Sequence, residues 1–433
     1  MGLYTANNEV WIDQQIHSQL KLVTDAILKK VSDVSSIMLT GGFGRGEGSV
    51  IIRNGKIIVL RDFDIVLLMQ RKMPSSSLHQ LIEEVNDILC HESSSKIRFE
   101  RLSFSVSILQ FTLDEILHFP DIKTYDLKAR SIILYGQDIR DRINFESIDI
   151  PPICIARIFF HNMMGLMEFF SPKFLDSVPH EFNKLNLVLE CAKTYLNIGS
   201  LLTLMIGEYK PTYAERSEVI KNKHETISQF LGQKIPDLSN KITFFTDLKL
   251  HPNEKIIDNI DAIDLWFDAR ENLRVVFEYY INHYFQVPNT SNLIESCKKW
   301  YGHMTENGLD PYISSYVRTT LGIDIKFLTR FLGYFYRRYS AFSFLKGSHK
   351  LQKSFRLSLL KEFPLFKIYC SMPLLLYSLD RNGNLDKKLF DAFIKAINML
   401  IIFKVNSSRS DGKWAESVKC LKSLKEIMYI SFE

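Results

Sequence analysis

Two aspartates, Asp62 and Asp64, flank Phe63 at the head of an apolar run, Phe63 to Met69. On a strand, residues two apart share a face with α-carbons roughly 6.5 Å apart, so both carboxylates can close on one or two hard cations. Phe63 then faces the opposite way, into a core. Two magnesium ions about 3.5–4 Å apart can polarise an α-phosphate, activate an acceptor hydroxyl and stabilise a pyrophosphate leaving group. The complementary half of such a site is upstream, in Gly41-Gly42-Phe43-Gly44-Arg45-Gly46-Glu47-Gly48. Glycines let the backbone approach phosphate oxygens and take positive φ, and successive N–H groups form an anion nest. Arg45 adds a delocalised cation, and an arginine among glycines is expected to have little to pack against. Gly41, Gly42, Gly44, Arg45 and Gly46 are therefore the candidate triphosphate contacts, with Asp62 and Asp64 as catalytic metal ligands. A glycine-rich turn or an Asp-x-Asp is often structural when alone; their order and separation are what join them.

The elements that must position these groups can be read from periodicity. Residues 11–31 carry apolar positions at helical spacing, Ile37-Met38-Leu39 is a short buried strand, and the glycines follow it directly. Two β-rich runs around Arg53-Asn54-Gly55 predict a hairpin between the loop and the aspartates. Phe63 to Met69 is a strand covered on both faces, Leu78 to Cys90 an amphipathic helix, and Ile97 to Phe111 one or two strands. From Pro151 the pattern becomes helical, punctuated near Pro172, Pro211, Pro252, Pro288, Pro311, Pro364 and Pro373. The expected class is α+β: an N-terminal mixed sheet with helices over 1–150, a helical domain over 151–290 and a C-terminal helical domain over 291–433.

These motifs, LTGGFGRGEGS followed by RDFDIVLL, resemble the signature of the polymerase-beta-like nucleotidyltransferase superfamily, and the likeness covers roughly residues 30 to 140, including YDLKARSIILYGQDI. The loop-to-aspartate separation is longer than the family's usual one, and the hairpin accounts for the excess. The resemblance implies a magnesium-dependent enzyme that moves a nucleoside monophosphate from a nucleoside triphosphate to an acceptor. It also implies a helical domain behind the core whose Lys and Tyr reach the nucleotide. Lys193, Tyr213 and Arg216, on and just after a long apolar helix from Leu187, are the candidates, against the plain alternatives that Lys193 snorkels and Arg216 lies in water. Two departures stand out. Gly42 offers no hydroxyl where the family usually has Ser, and Ser105 falls where a third carboxylate is expected. Glu47, Glu100 and Asp114 are nearby acids, but none stands where the motif asks, so the general base is unassigned.

The remaining composition narrows the classes. A formal charge of +5 spread over 433 residues, without a dense basic run, favours a small-molecule, glycan or protein acceptor over nucleic acid. The six cysteines are far apart with no metal-ligand spacing, and are read as reduced core thiols of a cytoplasmic protein. The N-terminus lacks the features of a signal peptide, and the most apolar windows, Ile198 to Ile206 and Ile394 to Phe403, are too short to span a bilayer. The eleven histidines show no zinc spacing, and neither a Walker loop nor Gly-x-Ser-x-Gly occurs. Trp300-Tyr301-Gly302-His303 and the aromatic-basic run 331–339 could line an acceptor groove, although packed helices are the commoner meaning. The alternative to an enzyme is a nucleotide-binding or interaction module of the same fold that has lost turnover.

Overall fold

A computed structural model describes residues 2–53, 56–60, 62–92, 105–118, 120–177, 179–231, 235, 237–286, 292–307, 364–401 and 403–432. Glu100, Pro288, Pro311, the Asn54-Gly55 turn and the run 331–339 lie outside them. The chain divides into two compact units. The first comprises Met1–Ile150, Leu202–His224 and Asp237–Ile256; the second comprises Pro151–Leu201, Glu225–Pro236 and Ile257–Glu433. Two stretches of the helical region therefore belong with the N-terminal residues.

The first unit begins with α1 (Val10–Lys30), β1 (Val34–Thr40) and the single turn α2 (Gly41–Gly44). The expected hairpin follows as β2 (Val50–Arg53) and β3 (Lys56–Val59), paired antiparallel as a separate two-stranded sheet. Next come β4 (Asp62–Met69), α3 (Ser75–Glu92), β5 (Ser105–Thr112), α4 (Leu113–His118), α5 (Ile122–Ala129) and β6 (Ile132–Gly136). The main sheet has the order β5-β4-β1-β6. β1 is antiparallel to both β4 and β6, whereas β4 and β5 run parallel.

Both faces of this sheet are covered, which is why β1 and β4 read as nearly continuous apolar runs. Phe63, Ile65, Leu67 and Met69 join Ile37, Leu39, Val106, Ile108 and the apolar faces of α1 and α3 in one core. Val66 and Leu68 join Met38 with Ile116 of α4 and Leu127 of α5 in another. By the same alternation Asp62 and Asp64 point to the side covered by α4 and α5.

The described residues after Ile150 form the helices α6 (Pro152–Phe169), α7 (Glu181–Met205), α8 (Tyr213–Asn222), α9 (His224–Phe230), α10 (Leu238–Leu250), α11 (Glu254–Asn259), α12 (Ala262–Phe285), α13 (Leu293–Asn307), α14 (Pro364–Leu376), α15 (Lys387–Ile397) and α16 (Ser410–Phe432). The fold is α+β, a small mixed sheet with helices followed by a large helical region. Pro373 does not punctuate it but sits inside α14, where burial of Phe366, Ile368, Met372, Leu374, Leu375 and Leu376 outweighs the lost hydrogen bond. In the second unit Phe170 stacks on Trp266 with ring centres 3.8 Å apart, and Trp300 is fully buried against Phe160 and Phe277. Trp300 is thus a core residue rather than part of a groove. Cys154, Cys191, Cys297, Cys370 and Cys420 are buried thiols. No helix among the described residues is long and apolar enough to cross a membrane.

Phe63 is fully buried and meets Phe43 edge-on, ring centres 4.9 Å apart, so it joins the strand of the aspartates to the glycine turn. Phe63→Ala should cost about 3–5 kcal/mol. The measurement is hydrogen exchange of β1 and β4 amides, expected to quicken on the order of a hundredfold or more.

Candidate active site

The end of β1 and the start of β4 lie side by side. Thr40 pairs with Asp64, and its hydroxyl donates to the Asp64 carbonyl at 3.2 Å. The chain then enters the glycine turn at Gly41, where φ is +62° and an added Cβ would lie 1.8 Å from Oδ2 of Asp64. Only glycine satisfies both conditions. Gly44 makes a second close approach, with a Cβ position 2.3 Å from the Leu39 carbonyl. The loop is therefore folded back on the strand it leaves, and Gly41 touches the carboxylate predicted to hold metal.

Asp62 and Asp64 are each half-buried on one side of β4. The parallel register sets Ser105 opposite Asp62 and Ser107 opposite Asp64. Val106 and Ile108 pack with Phe63 and Ile65, so the two serines take the aspartates' side. Burial first, and then the charge of Asp62, push the Asp64 carboxyl up to about 6, against the pull of Arg45, Lys123 and Lys249. Lys123 is exposed on the first turn of α5. Lys249, near the end of α10, donates from Nζ to Ser49 Oγ at 2.7 Å, and that hydroxyl donates to the Lys249 carbonyl at 2.6 Å. Neither lysine carries a motif that would single it out; Ser49 and Lys249 are 200 residues apart.

Arg45 differs most from expectation. Its side chain is only 7% exposed, with Nη1 3.2 Å from Asp126 Oδ2, Nε 3.4 Å from Glu47 Oε2 and the guanidinium 5.1 Å from the Tyr213 ring centre. Burial opposes its charge, but Asp126, Tyr213, Glu47 and Tyr209 together outweigh that and hold it above the usual arginine value. Asp126, on α5, also accepts from the Tyr209 hydroxyl at 3.0 Å, and burial raises its carboxyl despite Arg45 and Arg216. Sequence reading missed Asp126; the segment YDLK places it on a helix but says nothing about what it faces. Arg216 lies not in water but buried, donating to the Tyr209 hydroxyl and to the carbonyls of Lys210 and Pro211. Its guanidinium is 4.5 Å from the Tyr213 ring centre. Arg45, Tyr213 and Arg216 are thus brought together in one unit.

Glu47 is fully buried and accepts from the backbone N–H groups of Tyr213 and Ala214, each at 2.9 Å. Asp114 opens α4 with its side chain 90% exposed, 3.6 Å from His118. Lys193 belongs to the second unit, with Nζ 2.9 Å from His161 Nε2 and 3.7 Å from Glu190. Among the described residues no group of three or more His, Cys, Asp or Glu side chains could hold a metal.

No family model and no curated protein matches the chain. Among solved structures it is similar to the spectinomycin adenyltransferase AAD(9) of Enterococcus faecialis, determined with ATP and spectinomycin, at a TM-score of 0.37 and 11% identity over 60% of this chain and 98% of that one.

Two outcomes follow from this geometry. Gly41→Ala should strain the turn by on the order of 1–3 kcal/mol and displace the Asp64 carboxylate; calorimetry should register the lower stability. Arg45→Ala should destabilise the first unit by about 3–5 kcal/mol, since it strands buried Asp126 and Glu47. Thermal unfolding checks this, and an unchanged midpoint would show that Arg45 is not a structural residue.

Proposed function

We propose that the first unit is a nucleotidyltransferase site that passes a nucleoside monophosphate from a nucleoside triphosphate to a small-molecule, glycan or protein acceptor. The observation that carries this reading is the contact of Gly41 with Asp64, which makes the phosphate-type loop and the aspartate pair one site. The glycine turn lets the backbone come close to a bound phosphate, and in this reading its N–H groups donate to the phosphate oxygens. Lys123 and Lys249, which act on the charge of Asp64, supply cations beside it. Arg45, Tyr213 and Arg216 hold the loop in shape, and a direct nucleotide contact from them would be made at the edge of that packed group.

The donor set fits magnesium. That ion is commonly held by one or two carboxylates with substrate phosphates completing its shell, and Asp62 and Asp64 provide two carboxylates whose mutual repulsion a cation relieves. When bound, magnesium would stabilise charge on the triphosphate and its pyrophosphate leaving group. Asp62 and Asp64 would hold the cation, and the loop N–H groups would hold the triphosphate tail.

One observation favours a second reading, a binding module without turnover: Ser105, not a carboxylate, stands beside Asp62, and proton removal from an acceptor hydroxyl wants a base. Incubation of the purified protein with labelled triphosphates, magnesium and a cell extract separates the two, because transfer leaves label on an acceptor and mere binding does not. Asp62→Asn and Asp64→Asn should each abolish magnesium-dependent triphosphate binding or transfer with the thermal midpoint kept within a few degrees. Full activity in both variants would remove the metal site from the account.

A further inference from the structure

Glu47 does more than complete the Arg45 cluster. Its own N–H donates to the Gly42 carbonyl at 2.7 Å, which fastens it to the middle of the glycine turn. Its two carboxylate oxygens are divided between the Tyr213 and Ala214 N–H groups, the first turn of α8. The next N–H, of Glu215, goes to the Thr212 hydroxyl at 3.1 Å, and the Glu215 carboxylate returns to Thr212 N at 3.2 Å. The N-terminus of α8 is therefore capped twice, locally by Thr212 and from 166 residues away by Glu47. The local cap takes only the Glu215 N–H, and Glu47 takes the two N–H groups before it, which a helix start otherwise leaves unpaired. The distant carboxylate costs desolvation, offset here by two N–H donors and the Arg45 guanidinium. What it adds is a rigid link between the loop and the helix.

We infer that Glu47 is a positioning residue for the nucleotide: it makes the glycine loop and α8 move as one piece, so that occupancy of the loop is felt at the start of α8. This rests on the triphosphate reading of the loop. Arg45 extends the link to α5 through Asp126, one helical turn from Lys123 on the same helix. Loop, α5 and α8 form a three-part clamp with Glu47 and Arg45 at its joint. A carboxylamide at position 47 can accept from one N–H but opposes the other with its own NH₂, so Glu47→Gln cuts the link while nearly preserving volume.

The test is amide hydrogen exchange of the full chain with and without each of the four ribonucleoside triphosphates and magnesium. In the wild type, a bound triphosphate should slow exchange at Gly41 to Gly46 and also, by tenfold or more, at Tyr213 and Ala214. In Glu47→Gln the distant protection should vanish and triphosphate affinity should fall about tenfold, with Glu47→Asp in between. Loop protection without any change at Tyr213 and Ala214 overturns the link and leaves the nucleotide reading standing. No protection anywhere with any triphosphate overturns both. Should the glutamine variant fail to fold, the wild-type comparison alone still decides.

Discussion

Where β1 ends against the start of β4, the carboxylate of Asp64 fills the space a side chain at Gly41 would need, and the remaining features of the candidate site follow from that junction. Antiparallel pairing of the two strands brings the exit of one to the entrance of the other, so a turn leaving β1 must cross the aspartates. The crossing is possible only with a left-handed residue lacking a side chain. A glycine there fixes the direction of the turn, and the turn in turn sets where Arg45, Glu47 and the hairpin can go. The same pairing, extended to β5 by a parallel register, decides that Ser105 and Ser107 share the side of the acidic pair.

The second constraint is electrostatic. Two arginines, Arg45 and Arg216, and two carboxylates, Asp126 and Glu47, are buried together around Tyr209 and Tyr213. Formal charge cancels within the group, and most polar atoms have partners, although Nε of Arg216 has none among the described residues. Buried ion pairs rarely add much net stability, because desolvation consumes most of the attraction, but breaking one is costly. Such a group acts chiefly as a geometric specification: it permits few arrangements of the turn, α5 and α8.

Against that fixed frame, Asp62 and Asp64 share one side of β4, with Ser105 and Ser107 opposite them on β5. Burial, and then the charge of Asp62, make the Asp64 carboxyl harder to ionise. The serines opposite contribute no charge, and this is the physical root of the tension between an enzyme and a binding module.

Much of the first unit was legible in the sequence because the signals are local. Strand alternation, the apolar spacing of α1 and α3, Asn54-Gly55 between β-rich runs and the glycine run all report interactions between near neighbours along the chain. The Asp62 and Asp64 side chains share a face for the same reason. Local pattern failed where partners are remote. Arg45 looked available because its immediate neighbours are glycines, yet its counter-charge is Asp126, 81 residues further on. Glu47 looked like a stray acid, and its use is to cap a helix. Lys249 had no signal at all, and Pro373 was read as a stop because propensity does not register how much apolar surface α14 buries. Sequence determined most of the described strands and helices of the first unit and the shared face of Asp62 and Asp64. Only the tertiary structure decided which charges turn inward and which stay at the site, because that choice depends on the desolvation and pairing that arise when distant segments pack.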